Sequence, residues 1–185
     1  MASLTKKAIR ESFIRILNEK PYNKISVRDI VEDCGINRNS FYYHFSDIPS
    51  LLSDIISDWF NELSEQFTKT KSLTEIYGIA VESTLENKKA LLHIFNSVNR
   101  VSFEDYLMKF CSNITAVYID TVYPDAALNE YDKRVITHHL SCNLFGVYIE
   151  WINAGLPESG ADDGRRMLEL SRGFLDTIIG RSLSE

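Results

Sequence analysis

The chain has 185 residues, of which 44% are hydrophobic and 25% charged, with a formal net charge of −6. That length buries enough surface to hold a core without disulfide or metal staples. The most apolar run, 144–152, is too short to cross a bilayer and contains Glu150, and the first thirteen residues carry Lys6, Lys7, Arg10 and Glu11 in place of a secretory leader, so a cytoplasmic protein with no membrane partner is expected.

The pattern is helical from end to end, with no period-two strand run and no hairpin dipeptide. A first helix is expected over 5–18, where Ile9, Phe13, Ile16 and Leu17 make one apolar face and Pro21 follows the end. Ser26 is a suitable N-cap for a second helix, with Asp29 in its first turn and Val27, Ile30, Val31 and Cys34 as its inner stripe. Gly35 supplies a turn, and Asn37 caps a short third helix over 38–44. Asp47 or Ser46 caps a fourth, with Pro49 in its first turn, running to Phe67. Further helices are expected over 73–86, 88–96, 103–121, 129–153 and 162–179. The segment 154–164, with Gly155, Pro157, Gly160 and Gly164, reads as a loop.

Two short helices joined by Gly35, Ile36 and Asn37 read as a helix-turn-helix. In such a motif the second helix enters the major groove and its N-terminal residues meet base edges. Here these are Arg38, Asn39 and Ser40, all able to hydrogen-bond bases, and Arg suits guanine N7 and O6. Phe41 and Phe45 point inward, which leaves Tyr42, Tyr43 and His44 on the exposed face. Arg28 has two readings, a phosphate contact or an i,i+4 pair with Glu32. Charge follows the same division: eight Lys or Arg against six Asp or Glu through Ser50, and twelve against twenty beyond it. A mildly basic head on an acidic body fits DNA contact at one end.

The segments Ile25-Ser26-Val27-Arg28-Asp29-Ile30, then Gly35-Ile36-Asn37-Arg38-Asn39-Ser40-Phe41-Tyr42-Tyr43-His44-Phe45, then Leu51-Leu52 resemble the tetracycline-repressor (TetR) family of regulators in residue type and spacing. The resemblance covers about the first fifty-five residues. It implies an all-α protein: a three-helix DNA-binding head, taken as residues 1–48, on a helical effector-binding and dimerisation body, 49–185. The expected DNA contacts are Ser26, Val27, Arg28, Asn37, Arg38, Asn39, Ser40, Tyr42, Tyr43 and His44, on a double-stranded, near-palindromic operator. The chain departs from the family pattern at Ile48 and Pro49, where a Lys usually opens the fourth helix, and at Asn39, where Gly is frequent. The helix N-terminus itself remains able to face phosphate.

In the body, apolar residues cover more than one side of 129–153 and of 162–179. Such helices need partners on more than one side. The two readings are a four-helix homodimer interface, which the resemblance favours, and a wider monomer core. Gly146 and Gly173 are expected mid-helix, at close helix crossings. Tyr77, His93, Tyr106, Phe110, Asn113, Tyr148 and Trp151 are candidate lining for an apolar or aromatic small-molecule effector. Cys34, Cys111 and Cys142 are expected as small buried hydrophobes. His138 and Cys142 stand at i,i+4 without further ligands nearby, so no metal is expected, and no cofactor. With no Gly-rich phosphate loop, Gly-x-Ser-x-Gly elbow or His-Glu-x-x-His pair, an enzyme is not expected. The function expected is a transcriptional regulator, more in the manner of a repressor released by an effector. An adaptor or co-activator acting through a protein partner is the alternative.

Overall fold

A computed structural model describes residues 4–67, 69 and 72–183 of the chain. Its helices are α1 (Leu4–Glu19), α2 (Val27–Asp33), α3 (Arg38–His44), α4 (Ile48–Phe67), α5 (Leu73–Glu86), α6 (Lys88–Phe95), α7 (Arg100–Val122), α8 (Glu130–Asn153), α9 (Glu158–Leu170) and α10 (Phe174–Ser182), with a 3-10 turn at Tyr22–Lys24. Among the described residues there is no strand, and no helix is long and apolar enough to cross a membrane.

Two compact units are present. The first joins residues 1–61 to 87–106, and the second joins 62–86 to 107–185. The unit that carries the head therefore reaches well past residue 48 and includes α6. Within it, Ile9, Phe13, Ile16 and Leu17 of α1 are buried, with Ile30 and Val31 of α2, Phe41 of α3, and Leu51, Leu52, Ile56 and Phe60 of α4. Burying a side chain of this size contributes roughly 1.5–3 kcal/mol relative to leaving it in water. Ser12, also buried, donates to the Ile30 carbonyl at 3.2 Å and so satisfies its hydroxyl inside the α1–α2 contact. Lys6 pairs with Asp54 at 2.7 Å, and Arg10 pairs with Asp54 and Asp58, which fastens α1 to α4. α6 packs on α1, where the His93 Nδ1 lies 2.6 Å from the Leu17 carbonyl. That carbonyl belongs to the last turn of α1, where no helical partner exists.

In the second unit the chain after α8 differs from its expected course. The loop expected over 154–164 is only four residues long, and α9 begins at Glu158. Gly160 and Gly164 lie inside α9 as points of close approach. A Cβ on Gly160 would stand 2.5 Å from Trp151 Cδ1, and one on Gly164 would stand 2.6 Å from Tyr77 Cζ. Both aromatics also bond to this segment. The Tyr77 hydroxyl donates to the Ala161 carbonyl at 2.7 Å, and the Trp151 indole N–H to the Pro157 carbonyl at 2.8 Å.

The helix expected over 162–179 is two helices. Gly173 has φ +76 and caps α10, so it is the break and not a mid-helix crossing point. At Gly146, which is within α8, an added Cβ would meet nothing within 4 Å. Cys142 is also corrected. Cys111 is buried and Cys34 half-buried, but Cys142 is exposed on α8 with its Sγ 3.7 Å from His138 Nε2.

These packings separate two kinds of helical glycine. Gly164→Ala is expected to destabilise by about 1–3 kcal/mol, because the overlap with the Tyr77 ring outweighs the gain in helix propensity. Gly78→Ala, with nothing within 4 Å, is expected to stabilise by about 0.5–1 kcal/mol. Urea unfolding of the two variants beside the parent measures both, and equal shifts would contradict the close approach at Gly164.

Candidate nucleic-acid interface

The helix-turn-helix is set by three local devices. At the start of α2, Ser26 and Asp29 form a reciprocal capping box. The Asp29 N–H donates to Ser26 Oγ at 3.2 Å, and the Ser26 N–H donates to Asp29 Oδ2 at 2.7 Å. The Ser26 hydroxyl also donates to Asp29 Oδ2 at 2.6 Å, and Lys20 Nζ sits 3.0 Å from Oδ1. The Ser26 hydroxyl, Lys20 and the Ser26 N–H, in that order, hold the Asp29 carboxyl at about 2. At the end of α2, Gly35 takes φ +69 and the Ile36 N–H bonds back to the Val31 carbonyl at 3.0 Å. This Schellman-type closure requires a left-handed residue at 35. At the start of α3, Asn37 Oδ1 accepts from the Ser40 N–H at 2.9 Å.

α3 is thereby presented with one face in and one out. Phe41 and Phe45 are buried with ring centroids 5.9 Å apart. Arg38, Asn39, Tyr42 and Tyr43 are exposed, Tyr43 to 84%. Arg38 and Asn39 make no side-chain hydrogen bond or ion pair among the described residues. Tyr43 stands edge-on to the half-buried His44, with centroids 5.0 Å apart. Such a surface offers guanidinium, amide and phenol groups to a groove floor and its phosphates.

The other expected contacts have internal roles here. Ser26 directs both its donors to Asp29, and Ser40 and Asn37 bond to each other. Val27 is half-buried. Arg28 bonds to Glu32 through Nε at 2.7 Å, and that carboxylate is the first cause of a raised Arg28 pKa. The N-terminus of α4 is capped by Asp47, one of the two residues expected there. Asp47 Oδ1 accepts from the Ser50 N–H at 2.7 Å, which puts a carboxylate where an open helix end would take a phosphate. Reading the sequence alone does not single out Lys24, an exposed cation in the 3-10 turn two residues before the Ser26 cap, with no partner among the described residues.

The candidate effector residues divide between the units. His93 and Tyr106 belong to the first, and Tyr77, Phe110, Asn113, Tyr148 and Trp151 to the second. Tyr148 pairs with Thr84 Oγ1 at 2.8 Å, and burial pushes its hydroxyl pKa up. Phe110 packs on Phe67 at 5.8 Å between centroids, Asn113 is exposed, and Tyr77 and Trp151 hold α9 as described. An open cleft of about 180 Å³ beside α8 and α10 is lined by Asp132, Val135, Ile136, Ile178, Arg181 and Ser182, and so by none of these residues. Burial pushes the Cys111 thiol up to about 12.

Known proteins place the architecture. Residues 9–55 match the family described as bacterial regulatory proteins, tetR family. Residues 71–172, more than half of the chain, match a transcriptional regulator C-terminal region. The chain belongs to the TetR family. It is, accordingly, a DNA-binding transcriptional regulator of all-α fold. Among curated relatives of this TetR-family chain, the uncharacterized HTH-type transcriptional regulator YxbF of Bacillus subtilis (strain 168) is 23% identical over 164 residues, 82% of this chain and 40% of that protein. The HTH-type dhaKLM operon transcriptional activator DhaS of Lactococcus lactis subsp. lactis (strain IL1403) is 37% identical over 60 residues, 32% of each. The matches thus span less than half of either relative's length. Among solved structures, the dihydroxyacetone kinase operon activator DhaS superposes with a TM-score of 0.73 at 18% identity, covering 97% of this chain and 96% of that one. A TetR-family regulator from Pectobacterium atrosepticum gives 0.70 at 17% identity, covering 91% and 92%. Both share the fold.

The capping box gives a stability prediction. Ser26→Ala is expected to cost about 0.5–2 kcal/mol. Because Asp29 is held below the ordinary carboxylate range, its contribution is fully present above about pH 4 and is lost as pH falls through about 2. The difference between parent and Ser26→Ala in urea midpoints should therefore shrink between those limits. A difference independent of pH would remove Asp29 from the cap.

Proposed function

We propose that this TetR-family chain is a repressor that binds a near-palindromic operator as a homodimer, with α3 of each copy in a major groove. The observation that carries the reading is the outward face of α3, where Arg38 and Asn39 are exposed and without intrachain partners above a buried Phe41 and Phe45. In the second unit, Val135, Leu144 and Val147 of α8, Met167 and Leu170 of α9 and Phe174 of α10 are each at least 44% exposed. Exposed apolar groups gathered on consecutive helices support burial against a second copy. A two-fold dimer then sets the two α3 helices about 34–36 Å apart, one turn of DNA. Release by a small molecule completes the reading. We assign it to the second unit, where the buried Thr84 and the half-buried Tyr148 form a part-buried polar pair.

A second reading has a specific basis. The Lys of the family pattern is replaced by Ile48, next to the Asp47 carboxylate that caps α4, and DhaS is named an activator. Both favour an adaptor or co-activator that works through a protein partner. Selection of bound sequences from random duplex DNA separates the two: an enriched palindrome supports the operator reading, and no enrichment supports the adaptor.

On the selected operator, Arg38→Ala is expected to weaken binding by about 1–3 kcal/mol and to relax base preference at one position of each half-site. Unchanged affinity and preference would displace α3 from the groove.

Leu170→Glu with Phe174→Glu alters two exposed positions and leaves the core intact. Analytical ultracentrifugation is expected to find this variant monomeric, with DNA binding weakened in parallel. An unchanged dimer would put the interface elsewhere.

A further inference from the structure

We propose that Glu32 is a positioning residue for DNA contact: it holds the Arg28 guanidinium at Nε so that the two terminal nitrogens are presented to a backbone phosphate. The inference rests on DNA binding through the head, as read above. Arg28 is the second residue of α2, directly after the Ser26–Val27 entry to the helix-turn-helix. Its side chain is 70% exposed and that of Glu32 61%. They meet through one bond, Nε to Glu32 Oε1 at 2.7 Å.

That choice of nitrogen matters. A guanidinium has five N–H donors in a rigid fork. With Nε–H engaged, the terminal edge keeps a matched pair of donors, the geometry in which arginine takes a phosphate bidentately. A free arginine would have to order its long stem at the moment of binding, whereas one already anchored at Nε has done so beforehand. An exposed i,i+4 pair adds little to helix stability. Its larger effect is on where the cation is held. The carboxylate repels the phosphate as well, so the sign of its net effect distinguishes an anchor from a competitor.

Glu32→Gln separates these two roles, because the amide keeps a carbonyl oxygen for Nε and drops the charge. The experiment titrates full-length parent, Glu32→Gln, Glu32→Ala, Arg28→Ala and the double variant Glu32→Ala/Arg28→Ala with the selected duplex at several salt concentrations. Glu32→Ala is expected to bind about three- to tenfold more weakly, evenly across operator and unrelated duplex, and its log–log salt slope should fall by about 1, as for Arg28→Ala. Glu32→Gln should bind at least as tightly as the parent with an unchanged slope. The double variant should be no weaker than Arg28→Ala alone, since both changes remove one contact. Thermal midpoints should agree across the set, so that lost folding does not enter. Glu32→Ala binding as tightly as the parent, or losses that add in the double variant, would overturn the role of Glu32 while leaving DNA binding intact. A parent chain that binds no duplex would overturn the underlying reading itself.

Discussion

The arrangement depends first on the burial of Phe41. With none of its surface exposed, and Phe45 one turn on at 5%, it fixes the rotation of α3 about its own axis. Once that rotation is fixed, the side chains at 38, 39, 42 and 43 face outward. A helix of seven residues has no stability of its own in water, so the packing that orients α3 is also what makes it a helix. Asn37 caps the start of α3, while Ser26 and the left-handed Gly35 close the two ends of α2, leaving few backbone groups unsatisfied.

The first unit is consequently more than a three-helix head. Ion pairs run from Lys6 and Arg10 on α1 to Asp54 and Asp58 on α4, and the His93 Nδ1 of α6 meets the last turn of α1. A displacement of α6 would reach α1 without an intermediary. Single exposed pairs contribute little, but the Asp54 cluster is partly buried and shared between two cations, which makes it costlier to break than an isolated surface pair.

How much of this is legible in the sequence follows from the range of the forces involved. Ser26 and Asp29, Gly35, Asn37 and the Phe41–Phe45 spacing act within four residues of one another, and the sequence alone places each of them as found. Gly160 and Gly164 look like loop markers for the same local reason. Their actual constraint is the ring of Trp151 or Tyr77, the latter more than eighty residues away in the chain, and no local pattern carries it. The break at Gly173 is hidden for a related reason, since apolar spacing continues across it from Leu170 to Phe174 while the backbone reverses sign in φ. In the candidate interface, the residue types were readable but the pairing was not. The sequence leaves Arg28 two partners, and in the structure it is bound to Glu32.

The Tyr77–Gly164 contact also bears on how such a chain diverges over time. The phenol and the missing Cβ occupy one space, and the hydroxyl bonds to the backbone three residues before the glycine. Neither position is free to drift by itself. A lineage that gains a side chain at 164 must first shrink or lose the ring at 77, and a lineage that loses the ring leaves a void that a side chain at 164 can fill. The two sites should therefore covary among homologues, with the aromatic at one accompanied by glycine at the other, even where the outward-facing residues of α3 have changed beyond recognition.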